Sequence, residues 1–451
     1  TRTGTRQSAC IGPVGEGMSL FGTDGVRGPV GEKLTPELAL ALGRAVAAEI
    51  ESDRPQVLIV RDTRESGHML ESALAAGLAA AGADVFLGGV LPTPAAAILV
   101  RRHGLDLAAV VSASHNPWED NGIKFFDADG RKLDDDAERR VEARVAAGPS
   151  SAAASGRIRK LEGARDDYLR ELASAFDLDL TGRRIVLDCA NGATYRVAPA
   201  AFERLGAEVI AIATEPDGRN INAGCGSTHL ETVGRAVRSE GAEIGFAFDG
   251  DGDRVLAVDA EGSEFDGDEI VALAALHLQA AGEMSGGAAV TVMTNYGFHR
   301  AMADAGIEVA TTKVGDRFVI DELVARGWTI GGEQSGHIIW TDFAATGDGL
   351  AAALLVLEAL GDRRLADARP LTKLPQYLEN VRIPSREALG EATTLWEAVG
   401  REGALLEGRG RVVVRPSGTE PLVRVMVEGP DEVECRAVLS RLVEQAERAL
   451  G

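Results

Sequence analysis

One local rhythm recurs along this chain: a short apolar run, a polar or glycine-bearing turn, then a helical stretch. VLIV at 57–60 runs into Arg61-Asp62-Thr63-Arg64, the Ala-rich ESALAAGLAAAGA at 71–83 reads as a helix, and ADVFLGG reads as the next strand. The rhythm returns at RIVLDCANG (184–192) and AVTVMTNYG (289–297). Strands alternating with helices build parallel sheets covered by helices. The prediction is an α/β chain with three related mixed or parallel-sheet units, although their sequence identity is too weak to prove a repeat. The pattern changes after Pro370–Pro375. GRGRVVVRPSGTEPLVRVMVEG (408–429) predicts two strands around a loop, with a helix from Asp431 onward, which makes a smaller α+β C-terminal domain. The small, polar stretch AAGPSSAAASG (146–156) marks another linker. A helical stretch precedes the strand at 185, so that boundary is placed nearer Asp167. The expected organisation is a disordered polar extension over 1–17, then four domains over 18–166, 167–267, 268–372 and 373–451.

Composition narrows the function. The formal charge is -22 over 451 residues, and a surface that acidic repels phosphate backbones, which argues against a nucleic-acid partner. An anionic substrate must then be held by local clusters of Arg and Lys. No apolar run is long enough to span a membrane, so no membrane partner is expected. Cys10, Cys189, Cys225 and Cys435 are scattered without a CxxC pair, which signals neither a disulfide framework nor a zinc site and points to the cytoplasm.

Four motifs carry chemistry. In VVSASHNPWEDNGIKFF (110–126) an apolar strand delivers Ser112-Ala113-Ser114-His115-Asn116-Pro117 into a turn. A serine there can be a nucleophile or a phosphate carrier, and the G-x-S-x-G elbow of acyl-enzyme hydrolases is absent. Read locally, a plain Ser/Asn/Pro turn is the better reading of this stretch. In FAFDGDGDRV (246–255), Asp249, Asp251 and Asp253 alternate with glycines after a buried strand. Their spacing lets three carboxylates converge, and hard oxygen ligands suit Mg²⁺ or Ca²⁺. An EF-hand is ruled out, because its sixth and twelfth positions would be Arg254 and Ala260. At an effective dielectric near 20, two such charges about 4 Å apart repel by about 4 kcal/mol, which a cation relieves. GGEQSGH (331–337) carries Glu333, Ser335 and His337 on a Gly-rich loop that can read hydroxyl groups. RPSGTEPLVR (415–424) offers Arg415, Ser417, Gly418, Thr419 and Arg424 to a phosphate dianion without the spacing of a Walker loop.

In this order the motifs resemble the phosphohexomutase family of four-domain sugar-phosphate mutases, from Met18 to the C-terminal helix. FGTDGVRG (21–28), DCANGATYRVAP (188–199), PDGRNINAGCGSTH (216–229), TVMTNYGF (291–298) and KVGDRFV (313–319) strengthen the resemblance and point to its amino-sugar branch. Trp118, Phe318 and Thr294 depart from the family's expected residues without removing a chemical group. The resemblance implies that Ser114 is phosphorylated, and that Asp249, Asp251 and Asp253 hold one Mg²⁺ together with the Ser114 phosphate. It implies that Glu333 and Ser335 bind sugar hydroxyls. Arg415, Ser417, Gly418, Thr419 and Arg424 would bind the phosphate that is not reacting, and Arg27, Lys124 and His337 would surround the reacting oxygen. Lys124 is one of six lysines in a chain that otherwise prefers Arg, and a desolvated Lys can release its proton where Arg cannot. It is the first candidate for general base, with His337 the second.

The implied reaction interconverts glucosamine 6-phosphate and glucosamine 1-phosphate through a phosphoserine and a 1,6-bisphosphate. It would serve UDP-N-acetylglucosamine precursor synthesis in the cytoplasm, in a monomer or homodimer. The alternative within the family is a phosphoglucomutase or phosphomannomutase. A non-catalytic sugar-phosphate sensor need not keep the serine, the aspartates and the base together. A phosphoserine-forming hydrolase would differ by releasing free phosphate.

Overall fold

A computed structural model describes residues 20–22, 24–148, 154–383, 386–416 and 422–450. The extension expected over 1–17 lies outside the described residues. The apolar runs pair as the rhythm predicts. Gln56–Arg61 lies between Asp84–Val90 and Leu107–Val111, parallel to both, and Leu107–Val111 pairs antiparallel with Asp120–Asp127. Arg184–Asp188 lies in the same way between Glu208–Ile212 and Ile244–Phe248, with Val255–Asp259 antiparallel to the latter. A third time, Ala288–Thr291 lies between Val309–Thr312 and Ile330–Gly332, with Ile338–Trp340 antiparallel. Strand pairing thus displays the repeat that residue identity is too weak to prove. Among the described residues the strands form four sheets, and the last is a smaller antiparallel one with Leu422–Glu428 in the middle.

The elements agree with the sequence reading in kind and differ at their edges. The helix expected over 71–83 spans Gly67–Ala80, and position 167 lies within the helix Ala164–Ala175. The C-terminal domain gains an edge strand, Gln376–Arg382, and two helices, Arg386–Glu391 and Thr393–Leu406, that the sequence reading did not separate.

One apolar core runs through the first three units. It joins Leu58 and Val110 of the first sheet, Leu187 and Phe246 of the second, and Val290 and Ile330 of the third, with Leu350–Leu360 packed against the second and third sheets and Thr93–His103 against the first. The opposite face of each sheet has its own cluster. The fourth unit keeps a separate core around Leu395, Val425 and Leu442.

A buried polar contact joins the second and third units. Tyr168 OH donates to both oxygens of Asp348 (3.0 and 2.9 Å), and Asp348 caps the helix Gly349–Leu360 through Leu350 N and Ala351 N. Burial lifts the Asp348 carboxyl from 3.8 to about 6, against the hydrogen bonds that favour its anion. Its contribution to stability is complete below about pH 3.8 and is lost as pH rises through 6, because the unfolded chain ionises first; the loss is on the order of 3 kcal/mol. Asp348→Asn keeps the acceptor and has no proton to lose. Its stability relative to the parent should therefore rise by that order between pH 4 and pH 7.5 in denaturant melts. A difference that stays flat with pH would refute the assignment.

Candidate active site

The chemistry-bearing loops occupy one topological place, repeated. In each of the first three units the loop joins a parallel strand to its antiparallel neighbour. Ser114 lies between Leu107–Val111 and Asp120–Asp127, the three aspartates between Ile244–Phe248 and Val255–Asp259, and Glu333, Ser335 and His337 between Ile330–Gly332 and Ile338–Trp340. The loops pack in series. A Cβ on Gly250 would stand 2.5 Å from the Ser114 carbonyl, and one on Gly336 2.4 Å from the Val255 carbonyl, so both positions need glycine for close approach.

Ser114 is 1% exposed and holds a φ of 51°, a left-handed conformation unusual for a residue with a Cβ. Its hydroxyl donates to Asp249 Oδ2 at 2.5 Å, which carries the first unit's serine onto the second unit's acidic loop. The His115 ring lies beside it, Nδ1 3.3 Å from the Ser114 Oγ. Burial, then the charges of Arg254 and Arg27, lower the His115 pKa to about 4, so that ring is neutral at neutral pH. Ser112 is tied to the same loop: its hydroxyl donates to Asp62 Oδ2 (2.6 Å) and accepts the Ser114 N–H (3.0 Å).

The three aspartates are buried, and one oxygen of each lies within 4.8 Å of the others. Asp251 Oδ1 and Asp253 Oδ1 are buried without a hydrogen-bond partner. Burial first, then the charges of Asp253 and Asp251, push the Asp249 carboxyl well above the ordinary carboxylate range. Buried, mutually repelling oxygens with free lone pairs suit a hard divalent cation. These residues fit the metal that the spacing predicts.

Lys124 is 2% exposed, with its Nζ 2.8 Å from Asp251 Oδ2 and 3.5 Å from both Asp24 Oδ2 and Asp253 Oδ2. Burial favours its neutral amine, but Asp24, Asp251 and Asp253 outweigh it and hold the ammonium above its usual range. Asp251 also accepts from Thr93 Oγ1 at 2.5 Å. Arg27 is partly buried, bonds Asp24, and donates from Nε to the Asp24 carbonyl at 3.1 Å. Lys132 reaches Asp24 Oδ1 at 2.5 Å and also bonds Asp316, linking the first unit to the third.

His337 sits with Nδ1 3.7 Å from Asp253 Oδ1, and the Gly347 N–H donates to its Nε2 at 3.2 Å. That donor assigns the imidazole hydrogen to Nδ1, facing Asp253. Glu333 Oε1 accepts the Gly315 N–H at 3.0 Å, while Ser335 is exposed. The structure thus brings Ser114, the aspartates, Lys124, His337 and Arg27 to one cluster, with Glu333 and Ser335 on the adjoining loop.

Arg254 follows the aspartates, its backbone N–H on Asp249 Oδ1 (3.2 Å) and its buried Nε without a hydrogen-bond partner. The sequence reading did not select it, although it closes the motif DGDGDR. Nor did that reading select Arg64, which it treated as part of a turn.

In the fourth unit Arg415 and Arg424 are directly opposite on antiparallel strands, and the Nε of each is buried without a partner. Burial, then the Arg424 charge, lowers the Arg415 pKa. Like charges face to face across two strands destabilise a sheet unless an anion sits between them. Ser417, Gly418 and Thr419 lie outside the described residues. Polar contacts join this unit to the third: Arg411, paired within its own unit with the buried Glu428 (2.5 Å), bonds the Thr294 carbonyl, while Asn295 bonds the Leu374 backbone through both its amide atoms (3.0 Å each).

Four family matches tile the chain, described as phosphoglucomutase/phosphomannomutase alpha/beta/alpha domain I over 18–151, domain II over 166–262, domain III over 266–377 and the C-terminal domain over 378–445. A phosphoglucosamine mutase of Desulforudis audaxviator is 49% identical over 436 residues, covering 94% of this chain and 97% of the relative. One from Pelotomaculum thermopropionicum is 49% identical over 435 residues, covering 94% and 98%. A crystal structure of a phosphoglucomutase/phosphomannomutase family protein from Burkholderia thailandensis superposes with a TM-score of 0.82 at 26% identity, over 96% of this chain and 97% of that one.

Proposed function

The chain belongs to the phosphoglucomutase/phosphomannomutase family, and from that premise we propose that it is an isomerase interconverting glucosamine 6-phosphate and glucosamine 1-phosphate. The reaction passes through a phosphoserine and glucosamine 1,6-bisphosphate and serves UDP-N-acetylglucosamine precursor synthesis. The observation that carries this reading is the buried Ser114 hydroxyl resting 2.5 Å from a carboxylate of the three-aspartate loop. It sets a phosphate carrier beside a site suited to offset phosphate charge.

Phosphorylated Ser114 gives its phosphoryl group to O1 of glucosamine 6-phosphate. The bisphosphate then turns end for end, and Ser114 takes back the phosphoryl group from O6. Asp249, Asp251 and Asp253 would hold one Mg²⁺ together with the Ser114 phosphate. Bound there, Mg²⁺ supplies positive charge that matches the phosphoryl group and offsets the carboxylates. With those carboxylates offset, burial is opposed chiefly by Asp24, and Lys124 is the group we assign to take the sugar hydroxyl's proton. His337, whose Nε2 lone pair is occupied by the Gly347 N–H, orients Asp253. Arg27 faces the reacting phosphate, and Glu333 and Ser335 read the sugar hydroxyls. Arg415 and Arg424, with Ser417, Gly418 and Thr419, hold the phosphate that is not reacting. No helix among the described residues is long and apolar enough to cross a membrane. We place the reaction in the cytoplasm, with sugar phosphates as partners.

The test is kcat/KM for the 6-phosphates of glucosamine, glucose and mannose on one preparation. Glucosamine should lead by about tenfold or more. Equal or higher values for glucose or mannose would favour the phosphoglucomutase/phosphomannomutase reading, and stoichiometric release of free phosphate would favour a hydrolase.

A further inference from the structure

The Ser114 backbone is held by an ion pair that the reaction scheme above leaves unused. Arg64 has a fully buried side chain, and its Nε donates to Asp62 Oδ2 at 2.8 Å. Nη2 donates to the carbonyls of Ser114 (2.8 Å) and Asn116 (2.9 Å). Nη1 donates to the carbonyls of Asp120 (3.0 Å) and Pro117. One guanidinium therefore gathers four carbonyls of one turn. The other end of the pair reaches the same residue from its amide side: Asp62 Oδ2 accepts the Ser112 hydroxyl, whose oxygen accepts the Ser114 N–H. From the second unit, Asn222 Nδ2 adds a donor to the Ser114 carbonyl (2.9 Å) and to that of Asn116 (3.1 Å).

We propose that Arg64, with Asp62 and helped by Asn222, is a positioning residue that sets the line along which Ser114 exchanges its phosphoryl group. The proposal rests on Ser114 being the phosphate carrier. The Ser114 carbonyl is bound to this buried ion pair directly and its N–H through the Ser112 hydroxyl, so its left-handed φ is fixed from two sides. A left-handed residue with a Cβ costs on the order of 1–2 kcal/mol and persists only where its surroundings over-determine it. The carbonyls turn inward to the guanidinium while the side chain turns outward to Asp249. An ammonium could keep the charge of Arg64. It lacks the planar fork that spans four acceptors. A phosphoryl group displaced by an ångström loses in-line alignment with the sugar oxygen, and water then competes for it.

The experiment uses the full chain carrying Arg64→Lys or Asn222→Ala, charged with glucosamine 1,6-bisphosphate. Intact mass reads phosphate on the protein and peptide mapping places it. Steady-state assays read kcat, KM and inorganic phosphate released per turnover. Arg64→Lys should lower kcat by about 10²-fold with KM within about twofold, and Asn222→Ala should lower it by about tenfold. Both should raise phosphate release per turnover, a partition that a loss of folded protein alone does not move. A folded Arg64→Lys protein with parental kcat and parental phosphate release overturns the proposal. If Arg64→Lys does not fold, Asn222→Ala decides by the same two readouts. If the charged parent carries no phosphate on Ser114 yet isomerises its substrate, the phosphoserine reading falls first and this inference with it.

Discussion

Ser114→Ala should leave less than about a thousandth of the parental mutase rate while the protein keeps its fold. The hydroxyl is the atom that accepts and returns the phosphoryl group. Ser112 carries the nearest hydroxyl in sequence, but its oxygen is occupied by Asp62 and the Ser114 N–H. Stability should change little, because Ala removes one hydrogen bond to Asp249, a carboxyl whose anion is disfavoured by burial and by its neighbours. The measurement is turnover of glucosamine 6-phosphate alongside a thermal melt and intact mass. Turnover within about tenfold of the parent in a folded, unphosphorylated variant would remove Ser114 from the reaction.

The second large effect separates two kinds of binding. Arg424 faces Arg415 across a strand pair with an unpartnered Nε, so it should grip the phosphate that is not reacting. Arg424→Ala should raise KM by about 10- to 150-fold, the equivalent of a charge-assisted contact of about 1.5–3 kcal/mol. Asp251 carries an unpartnered buried oxygen in the acidic loop and bonds Lys124. Asp251→Asn should lower kcat by about 10²-fold, because the transferring phosphoryl group loses both cation affinity and a partner that orients Lys124. Raising Mg²⁺ should restore part of the Asp251→Asn rate and leave Arg424→Ala unchanged. Equal responses of the two variants to Mg²⁺ would show that these loops do not divide the work in this way.

The parts of the site legible in the sequence are those whose chemistry is local. Three aspartates in five residues, a serine at the end of an apolar strand and a Glu/Ser/His loop announce themselves, because each motif is one connection between two strands. The role of Arg64 is not local. Its acceptors lie about 50 residues away, and only the pairing of Gln56–Arg61 with Leu107–Val111 brings them together. Arg254 was visible as a letter of its motif, yet nothing in the spacing tells an arginine that faces the site from one that faces solvent. The edge strand Gln376–Arg382 was missed for a different reason. Its burial is intermediate or exposed along most of its length, so the alternation that identifies a half-buried strand is weak. The threefold repeat was hidden because strand order constrains which backbones pair, and that leaves most side chains free to diverge.

The apolar core that runs unbroken through three sheets and stops before the fourth has a thermodynamic consequence. A stretch of chain melts as a unit when its parts lose solvent protection together. The first three units share an inner face, so opening one wets the other two, and they form a single cooperative body. The C-terminal unit has its own core and meets the rest through polar contacts at Asn295, Arg411 and the Pro370–Pro375 strap. It can therefore open while the larger body stays intact. Under the assignments above, a substrate spans both bodies, with its sugar at Glu333 and its distal phosphate between Arg415 and Arg424. Its binding free energy is available only when both are folded, so it works as a mass-action link between two otherwise separable melting events. For this chain, stability is a pair of quantities, and the ligand sets how far apart they lie.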